Sequence, residues 1–324
     1  MSQNLNNKEA LFNEVKGSLF EYLMALKISR LAACELDFLQ SLDKNYLNVL
    51  SQQDRMVRQF YPEMLVFLDQ VSETSTSELI KYLGEIPKKS VLRGKFETQS
   101  EADLMLITSM GEVPLSLKLN KKNSFVNTKS GGIKSFFSHY FAFLSPQIQS
   151  EFNRTVDQEF SRMAHELHAL NDMDFSGNFS SWVSRGKSEL PGELAPNERA
   201  VLKAFYARIA IRMHEILSDA QVSCARDFSA ALPALMGFSN PRILQLVCFH
   251  DFKLGGASSI AIHAFSEVED SLKSVKILPF NQTSSVELSL GDWALQVRVK
   301  PMNKFTTTAI KINCSVKFKP SADL

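Results

Sequence analysis

The sequence predicts an α/β protein with a central mixed sheet flanked by helices, a helical region before that sheet and a β-rich region after it. Three patterns indicate this class. Apolar residues recur at helical spacing from residue 8 to about residue 85. Two strand patterns joined by a turn follow over residues 88–120, and strand patterns return over residues 246–318. Helical patterns fill most of the interval between the two strand regions.

The composition is that of an ordinary globular protein. Of the 324 residues, 44% are hydrophobic and 22% are charged, which supplies enough apolar material for a core. The formal net charge is +1, so no overall field attracts polyanions and a nucleic-acid site has to be a local patch. The four cysteines are scattered without a C-x-x-C pair, which favours free thiols over a zinc site.

No segment of the sequence has the pattern of a secretory signal or of a membrane-spanning helix. The first residues carry acids early and do not form the basic start and apolar run of a secretory signal. No apolar run approaches the ~18 residues that a membrane span requires. We therefore expect a cytoplasmic protein without a membrane partner.

Four segments follow from these patterns along the chain. A helical region is expected over residues 1–86, and it includes two shorter helices over 63–71 and 75–83, the second preceded by a capping-box spacing. A core of hairpin and helices is expected over 87–170, and a linker with helices over 171–245. A β-rich region, packed on the core, is expected over 246–324.

The hairpin in the core segment carries the most informative side chains. Asp103 opens an apolar strand, a turn follows around Gly111, and a second strand ends in Ser-x-Lys. Alternate side chains of a strand point to opposite faces, so Ser116 and Lys118 share one face while Leu117 and its leucine neighbours take the other. Across the hairpin, Asp103 can share the face of Lys118.

An aspartate and a lysine that converge on one face suit metal-dependent cleavage of a phosphodiester. Such cleavage needs a metal ion to activate water and to screen the developing charge. Magnesium prefers oxygen ligands, which Asp103 and the main-chain carbonyl of Leu117 can supply. Lys118 can orient the water or stabilise the transition state. The alternative interpretation is a plain salt bridge at a strand edge.

The pattern Asp-x12-Ser-x-Lys, from Asp103 to Lys118, resembles the PD-(D/E)xK nuclease core in the variant that type II restriction endonucleases use. The text from Asn127 to Phe137, Asn-Thr-Lys-Ser-Gly-Gly-Ile-Lys-Ser-Phe-Phe, also resembles the segment that follows the core lysine in some of these enzymes. The resemblance spans roughly residues 95–141. It implies a restriction-endonuclease-like fold, Mg²⁺ as cofactor and a bacterial hydrolase that cleaves double-stranded DNA.

Ser116 stands where this family usually has a second acid, so another residue has to complete the metal site. Glu101 lies two residues before Asp103 on the same strand face, and Glu78 lies on the preceding helix. These two acids are our preferred candidates. Glu85 is a further candidate, and Glu63 is more distant in sequence.

The sequence after the hairpin is basic. No acid occurs between Glu112 and Glu151, a stretch that suits the phosphate backbone of a nucleic acid. The side chains expected to contact DNA in this stretch are Lys121, Lys122, Asn127, Lys129 and Lys134. A solvated charged face is the alternative explanation.

A second set of DNA contacts is expected in the C-terminal strands. Gln296, Arg298 and Lys300 alternate on one strand face, with Asn303 and Lys304 directly after them. Arginine reads guanine and glutamine reads adenine through paired hydrogen bonds, so this face can read bases. Residues 311–317 alternate similarly on the next strand. The alternative is the ordinary polar face of an antiparallel sheet.

These observations predict a Mg²⁺-dependent endonuclease that cleaves double-stranded DNA at a short specific site. A homodimer is expected, because two-fold symmetric DNA sites match two-fold symmetric proteins. The first alternative is a non-catalytic DNA- or protein-binding module with a degenerate nuclease core. The second is a structural interaction protein built on the long helices.

Overall fold

The computed structural model describes residues 2–92, 101–121, 124–250, 259–281 and 283–318, and the chain divides into two compact units. The first unit comprises Met1–Ser124 and Phe238–Glu267, and the second comprises Phe125–Gly237 and Val268–Leu324. Each unit contains its own sheet. The mixed α/β class expected from the sequence is confirmed, with two sheets where one central sheet was expected.

Ten helices are labelled here in chain order. They are α1 (Ser2–Leu31), α2 (Glu35–Gln40), α3 (Lys44–Phe60), α4 (Pro62–Leu83), α5 (Phe136–Tyr140), α6 (Pro146–Ala169), α7 (Ser180–Ser184), α8 (Pro196–Ser223), α9 (Ala225–Leu235) and α10 (Phe265–Leu272).

Ten strands are labelled in the same way. They are β1 (Lys89–Leu92), β2 (Leu104–Thr108), β3 (Gly111–Lys121), β4 (Val126–Gly132), β5 (Leu244–His250), β6 (Ser259–His263), β7 (Val275–Ile277), β8 (Ser285–Leu290), β9 (Trp293–Pro301) and β10 (Ile310–Phe318).

The first unit packs α1 and α4 on one face of a mixed sheet with the strand order β1-β2-β3-β5-β6. All neighbours in this sheet are antiparallel except β3 and β5, which run parallel. Leu104, Leu106, Leu115, Leu117 and Leu246 are buried on the helix-covered face and join the apolar residues of α1 and α4 in one core. The strand alternation expected for residues 115–119 therefore positions this core.

Local signals explain where the helices of the first unit begin and end. The Asp43 carboxylate caps α3 by accepting hydrogen bonds from the main-chain N–H groups of Asn45 and Tyr46, at 2.8 and 3.2 Å. Gly84 ends α4 in the left-handed conformation, with φ of 72°. These ends match the helical region that the sequence predicts before residue 86.

The prediction of two shorter helices over 63–71 and 75–83 is wrong, because α4 is continuous from Pro62 to Leu83. The capping-box spacing begins at Ser75, and two hydroxyls near it bond back to the helix: Thr74 donates to the carbonyl of Gln70 and Ser77 donates to that of Glu73. Ser75 is buried within the helix. Back-bonding of this kind lets hydroxyl residues remain inside a helix.

The second unit contains an antiparallel sheet with the strand order β4-β10-β9-β8-β7. One face, with Leu288, Leu295, Val297 and Ile312 among its side chains, is buried. Helix α8 contacts β8 and β9 and also packs with α6 and α9. The tight connection between β8 and β9 uses Gly291 at a φ of 60°, a conformation that favours glycine.

The C-terminal strands are shared between the two units. β5 and β6 extend the sheet of the first unit, whereas β7 to β10 build the sheet of the second. The linker segment over 171–245 is also shared, since it contributes α7, α8 and α9 to one unit and the start of β5 to the other. Among the residues that the structure describes, no helix combines the length and apolar character of a membrane span.

We expect Ser90→Ala to lower the free energy of unfolding by about 1–2 kcal/mol, because the change leaves buried groups without a partner. The Ser90 hydroxyl donates to the carbonyl of Ala25 at 2.9 Å and lies 2.7 Å from the Ser29 hydroxyl, and both serines are fully buried. Urea denaturation followed by circular dichroism measures the loss.

Ser77→Ala is the matched control for this prediction, because the Ser77 hydroxyl bonds only to its own helix at an exposed position. The double variant Ser29→Ala/Ser90→Ala should lose less stability than the sum of the two single changes, because the two hydroxyls bond to each other. A Ser90→Ala protein as stable as Ser77→Ala would contradict the role of this contact.

Candidate functional site

The β2–β3 hairpin positions the predicted site residues. Gly111 adopts a φ of 110°, which favours glycine, and the Thr108 hydroxyl donates to the Gly111 carbonyl at 2.9 Å. The Glu85 carboxylate accepts hydrogen bonds from the main-chain N–H and the hydroxyl of Ser109, at 3.0 and 2.8 Å. These contacts hold the turn, and the register of the two strands follows from it.

Asp103 lies one position beyond the last register pair, Leu104 with Leu115, and its main-chain N–H donates to the Leu115 carbonyl at 2.9 Å. Three donors from β3 reach its side chain. Oδ2 accepts from the main-chain N–H of Leu117 at 2.6 Å and from the Ser116 hydroxyl at 3.2 Å. The Lys118 ammonium lies 3.5 Å from the same oxygen. The structure therefore brings Asp103, Ser116 and Lys118 together.

The charged pair in this group is accessible, whereas the serine is not. The side chains of Lys118 and Asp103 are 27% and 24% exposed, so a solvent molecule or a substrate group can reach both. Ser116 is buried. The ion pair expected as the alternative interpretation is thus present. Because both of its side chains are partly exposed, they can also contact a ligand.

The acids expected to complete a metal site are engaged elsewhere. The Glu101 carboxylate accepts from the main-chain N–H and the hydroxyl of Ser239, at 2.9 and 2.5 Å. Glu78 pairs with Lys81 one turn along α4, at 2.6 Å. Glu85 holds the hairpin turn as described above, and Glu63 is exposed in the first turn of α4.

Within the described part of the chain, no three His, Cys, Asp or Glu side chains come together as a metal-binding group. The oxygen that remains for a cation is Oδ1 of Asp103, which accepts no hydrogen bond from any residue that the structure describes. Magnesium usually keeps several waters and binds through one or two carboxylates together with substrate phosphates. Asp103 therefore offers one oxygen ligand, which fits a cation that is also bound by water and by a substrate phosphate. The described side chains do not form a complete metal site by themselves. The main-chain N–H of Leu117 points to Asp103, so this residue contributes a donor to the group.

The structure adds residues to this face of the first sheet that the sequence did not identify. Ser116 pairs with Gln245 of β5, and Gln245 pairs with His263 of β6. Residues directly opposite one another share a face, so a polar row runs from Asp103 through Ser116 and Gln245 to His263. The Nδ1 atom of His263 lies 2.8 Å from the Glu267 carboxylate.

Gln245 is buried, and the row ends in a His–Glu pair. Burial lowers the pKa of the His263 imidazole, and the hydrogen bond to Glu267 raises it in part. Local sequence carries no signal for this row, because Gln245 and His263 are separated from Ser116 by more than a hundred residues. Only the pairing of β3 with β5 brings them together.

The basic residues that follow the hairpin are divided between the two units. Lys121 is exposed at the end of β3, and Lys122 lies outside the described residues. Lys134 forms an ion pair with Asp157 of α6 at 2.6 Å.

Residues 126–132 form β4, a strand that pairs with β10. The helix that comes after this strand, α5, is short. Asn127 is exposed on β4. Lys129 is opposite Cys314, whose side chain is buried on the inner face of the sheet. Ser130 lies on the other face, where its hydroxyl donates to the side-chain oxygen of Asn313 at 2.9 Å.

The residues expected to contact DNA from β9 share the outer face of the second sheet. Arg298 is exposed and Lys300 is half-buried, whereas the alternate positions Val297 and Val299 are buried. The Gln296 amide donates to the Glu287 carboxylate at 3.1 Å.

Two further expected contacts lie in the loop after β9. Asn303 is exposed in this loop. The Lys304 ammonium forms an ion pair with Glu189, which also accepts from the Thr306 hydroxyl at 2.7 Å. Lys304 is therefore held by an acid of its own unit.

Comparison with known proteins adds no assignment to these surfaces. No protein-family model, no curated protein and no solved structure matches the chain. The geometry at the Asp103 edge of the first sheet, and the charge on the outer face of the second, are therefore what supports a functional proposal.

We expect Asp103→Ala to lower the free energy of unfolding by about 1–2 kcal/mol, because the Leu117 N–H and the Ser116 hydroxyl lose their acceptor. Asp103→Asn keeps an oxygen acceptor at this position and should lose less. Urea denaturation of the two variants beside the wild type measures the difference. Equal stability of the Ala and Asn variants would show that these hydrogen bonds do not hold the strand edge.

We expect Ser116→Asp to create a cation site, because it places a second carboxylate beside Asp103. Without a cation the two like charges repel, so the melting temperature should fall below that of the wild type. Addition of Mg²⁺ should raise it by about 2–4 °C for each kcal/mol of cation binding. Ser116→Asn has the same size without the charge and is the control. A melting temperature of Ser116→Asp that does not respond to Mg²⁺ would argue against a cation position at this edge.

Proposed function

We propose that this protein is a Mg²⁺-dependent endonuclease that cleaves double-stranded DNA at a short specific site. The observation that carries the proposal is the convergence of Asp103 and Lys118 at an accessible strand edge, with a 3.5 Å contact between them. This contact is one part of the arrangement that the resemblance to the PD-(D/E)xK nuclease core implies. The mixed sheet with helices packed on it, in the first unit, supports the same proposal.

The side chains of the site have separate tasks in this proposal. Asp103 keeps Oδ1 for a cation because its Oδ2 is already held by donors of β3. The Lys118 ammonium is placed to donate to a water molecule or to a phosphate oxygen beside that carboxylate. Bound Mg²⁺ would supply charge screening at the phosphate and activation of water.

The proposal also includes the partners of the protein. The substrate is double-stranded DNA, and a homodimer matches a two-fold symmetric DNA site. A location in the bacterial cytoplasm goes with a restriction endonuclease. Glu101 is the acid nearest in sequence to Asp103, and a change of its Ser239 contact on binding of DNA and Mg²⁺ would make it a second ligand.

A second candidate function is a non-catalytic DNA-binding module with a degenerate nuclease core. One observation favours it: in the described part of the chain, no three His, Cys, Asp or Glu side chains come together as a metal-binding group at Asp103. The ion pair and hydrogen bonds of Asp103 with β3 are then a purely structural contact. The two functions share DNA as partner and differ in whether the phosphodiester is cut.

Cleavage of a supercoiled plasmid of known sequence in the presence of Mg²⁺ tests the proposal. We expect the wild type to produce discrete bands, and both Asp103→Asn and Lys118→Met to lower the cleavage rate by roughly a hundredfold or more, because each removes several kcal/mol of charge stabilisation. EDTA should abolish cleavage by the wild type.

The matched controls are Asp270→Asn and Lys273→Met, which alter an exposed ion pair of 2.7 Å on α10. Both control variants should cut at the wild-type rate. Full activity of Asp103→Asn would end the proposal. A smear would identify a nonspecific nuclease, and a wild type that retains DNA without cutting it would favour the binding module. Failure to retain DNA at low salt would favour a structural interaction protein.

A further inference from the structure

Three basic side chains stand together on the outer face of the second sheet: Arg298 and Lys300 on β9, and Lys311 on β10. Lys300 and Lys311 are register partners. Side chains directly opposite in an antiparallel pair have Cβ atoms about 5 Å apart, so the two lysines are neighbours. Arg298 lies two residues before Lys300 and therefore shares its face. These three residues are called the basic cluster below.

Within the described part of the chain, no acid forms an ion pair with the basic cluster. The side chains of Arg298, Lys300 and Lys311 form no ion pair or hydrogen bond with any residue that the structure describes. Glu287 is the one acid at the outward positions of β8, β9 and β10, and it accepts from the Gln296 amide. Burial lowers the pKa of the Lys300 ammonium, and the positive charges of Lys311 and Arg298 lower it further.

Three other lysines of the same unit do have an acid as partner. Lys134 pairs with Asp157, Lys187 pairs with Glu198, and Lys304 pairs with Glu189. Like charges placed directly opposite one another destabilise a sheet. An anion bound over the cluster would remove this repulsion, so the arrangement is that of a site whose charge is balanced by a ligand.

The neighbours of the cluster indicate which anion it suits. The amide groups on this face are already engaged, since Gln296 donates to Glu287 and the side-chain oxygen of Asn313 accepts from Ser130. The charged groups that remain are positive, and positive charges contact phosphates and position a nucleic acid without reading its bases.

The same outer face also distinguishes double-stranded from single-stranded nucleic acid. Proteins that bind single strands stack the bases on aromatic side chains. The outward positions of β8, β9 and β10 that the structure describes carry no aromatic residue. Lys317, two rows from Arg298 on this face, adds a further positive charge, and its ammonium lies 6.0 Å from the centre of the Phe125 ring, directly before β4. Arg298, Lys300 and Lys311 thus have no aromatic side chain among the outward residues of their own strands, which suits the backbone of a duplex.

We propose that the basic cluster binds the phosphate backbone of double-stranded DNA, without a metal ion and without selecting a base sequence. The choice of DNA as the polyanion rests on the proposed function, whereas the binding surface itself rests on the charges of the second unit. The surface is separate from the Asp103 edge, which belongs to the first unit. In this proposal the basic cluster provides affinity for DNA, and the residues at the Asp103 edge carry out cleavage.

Equilibrium binding of the full-length protein to a duplex of mixed sequence, measured in EDTA by fluorescence anisotropy, tests this inference. Lys300→Gln/Lys311→Gln should bind about a hundredfold more weakly at 0.1 M salt, roughly tenfold for each charge removed. The slope of log K against log salt should fall in magnitude by about 2. Arg298→Gln alone should lower the affinity by about tenfold.

The matched control is Lys203→Gln/Arg226→Gln, which removes two exposed charges of the same unit from α8 and α9. Its affinity should stay within about twofold of the wild type. The melting temperature of Lys300→Gln/Lys311→Gln should not fall, because a repulsion is removed. A loss of binding in that variant is then a loss of contact with DNA and not of fold.

The outcomes separate this inference from the proposed function. Weak binding by Lys300→Gln/Lys311→Gln supports the inference even if the wild type never cuts DNA. Unchanged binding and salt slope in that variant overturn it, even if Asp103 and Lys118 prove to be catalytic. A wild type that does not bind duplex DNA in EDTA, or that binds single-stranded RNA or an acidic polypeptide far more tightly, also overturns it.

Discussion

The parallel pairing of β3 with β5 is the contact on which the first unit depends. It joins residues 111–121 to residues 244–250, and most of the second unit lies in the chain between them. β3 also pairs with β2, so one strand connects the hairpin to the far side of the sheet. Because side chains alternate along a strand, β3 places Leu117 in the core and Lys118 on the opposite face. A shift of either pairing by one residue would exchange the two faces, burying a lysine and exposing a leucine.

The same strand supplies the surroundings of Asp103. The main-chain N–H of Leu117 and the hydroxyl of Ser116 both donate to one carboxylate oxygen, and Lys118 approaches it from the accessible side. The carboxylate is therefore held in place by the fold before any ligand arrives. The arrangement leaves its other oxygen for a cation, which makes the proposed chemistry dependent on ligands that the DNA phosphate brings.

The second unit has a different electrostatic character. Its sheet is apolar on the inner face, whereas the outer face carries Arg298, Lys300 and Lys311, none of which forms an ion pair with a residue that the structure describes. The chain as a whole is almost neutral, with a net charge of +1. The positive charge of the basic cluster is therefore a local feature. It acts on a partner through direct contact more than through a long-range field. The two proposals place binding of DNA on the second sheet and its cleavage on the first.

The sequence by itself determined the features that depend on near neighbours: the helices before residue 86, the hairpin from Asp103 to Lys118, and the alternation along β9. Turn residues and side-chain periodicity act within a few residues, so a single sequence contains these signals. Only the tertiary structure decided that residues 126–132 form a strand beside β10, that Lys300 stands opposite Lys311, and that Gln245 joins the row of Ser116. The binding of Glu101 to Ser239 was decided in the same way. Pairing between segments a hundred or more residues apart depends on how whole faces pack, and local patterns do not specify which strand becomes the neighbour.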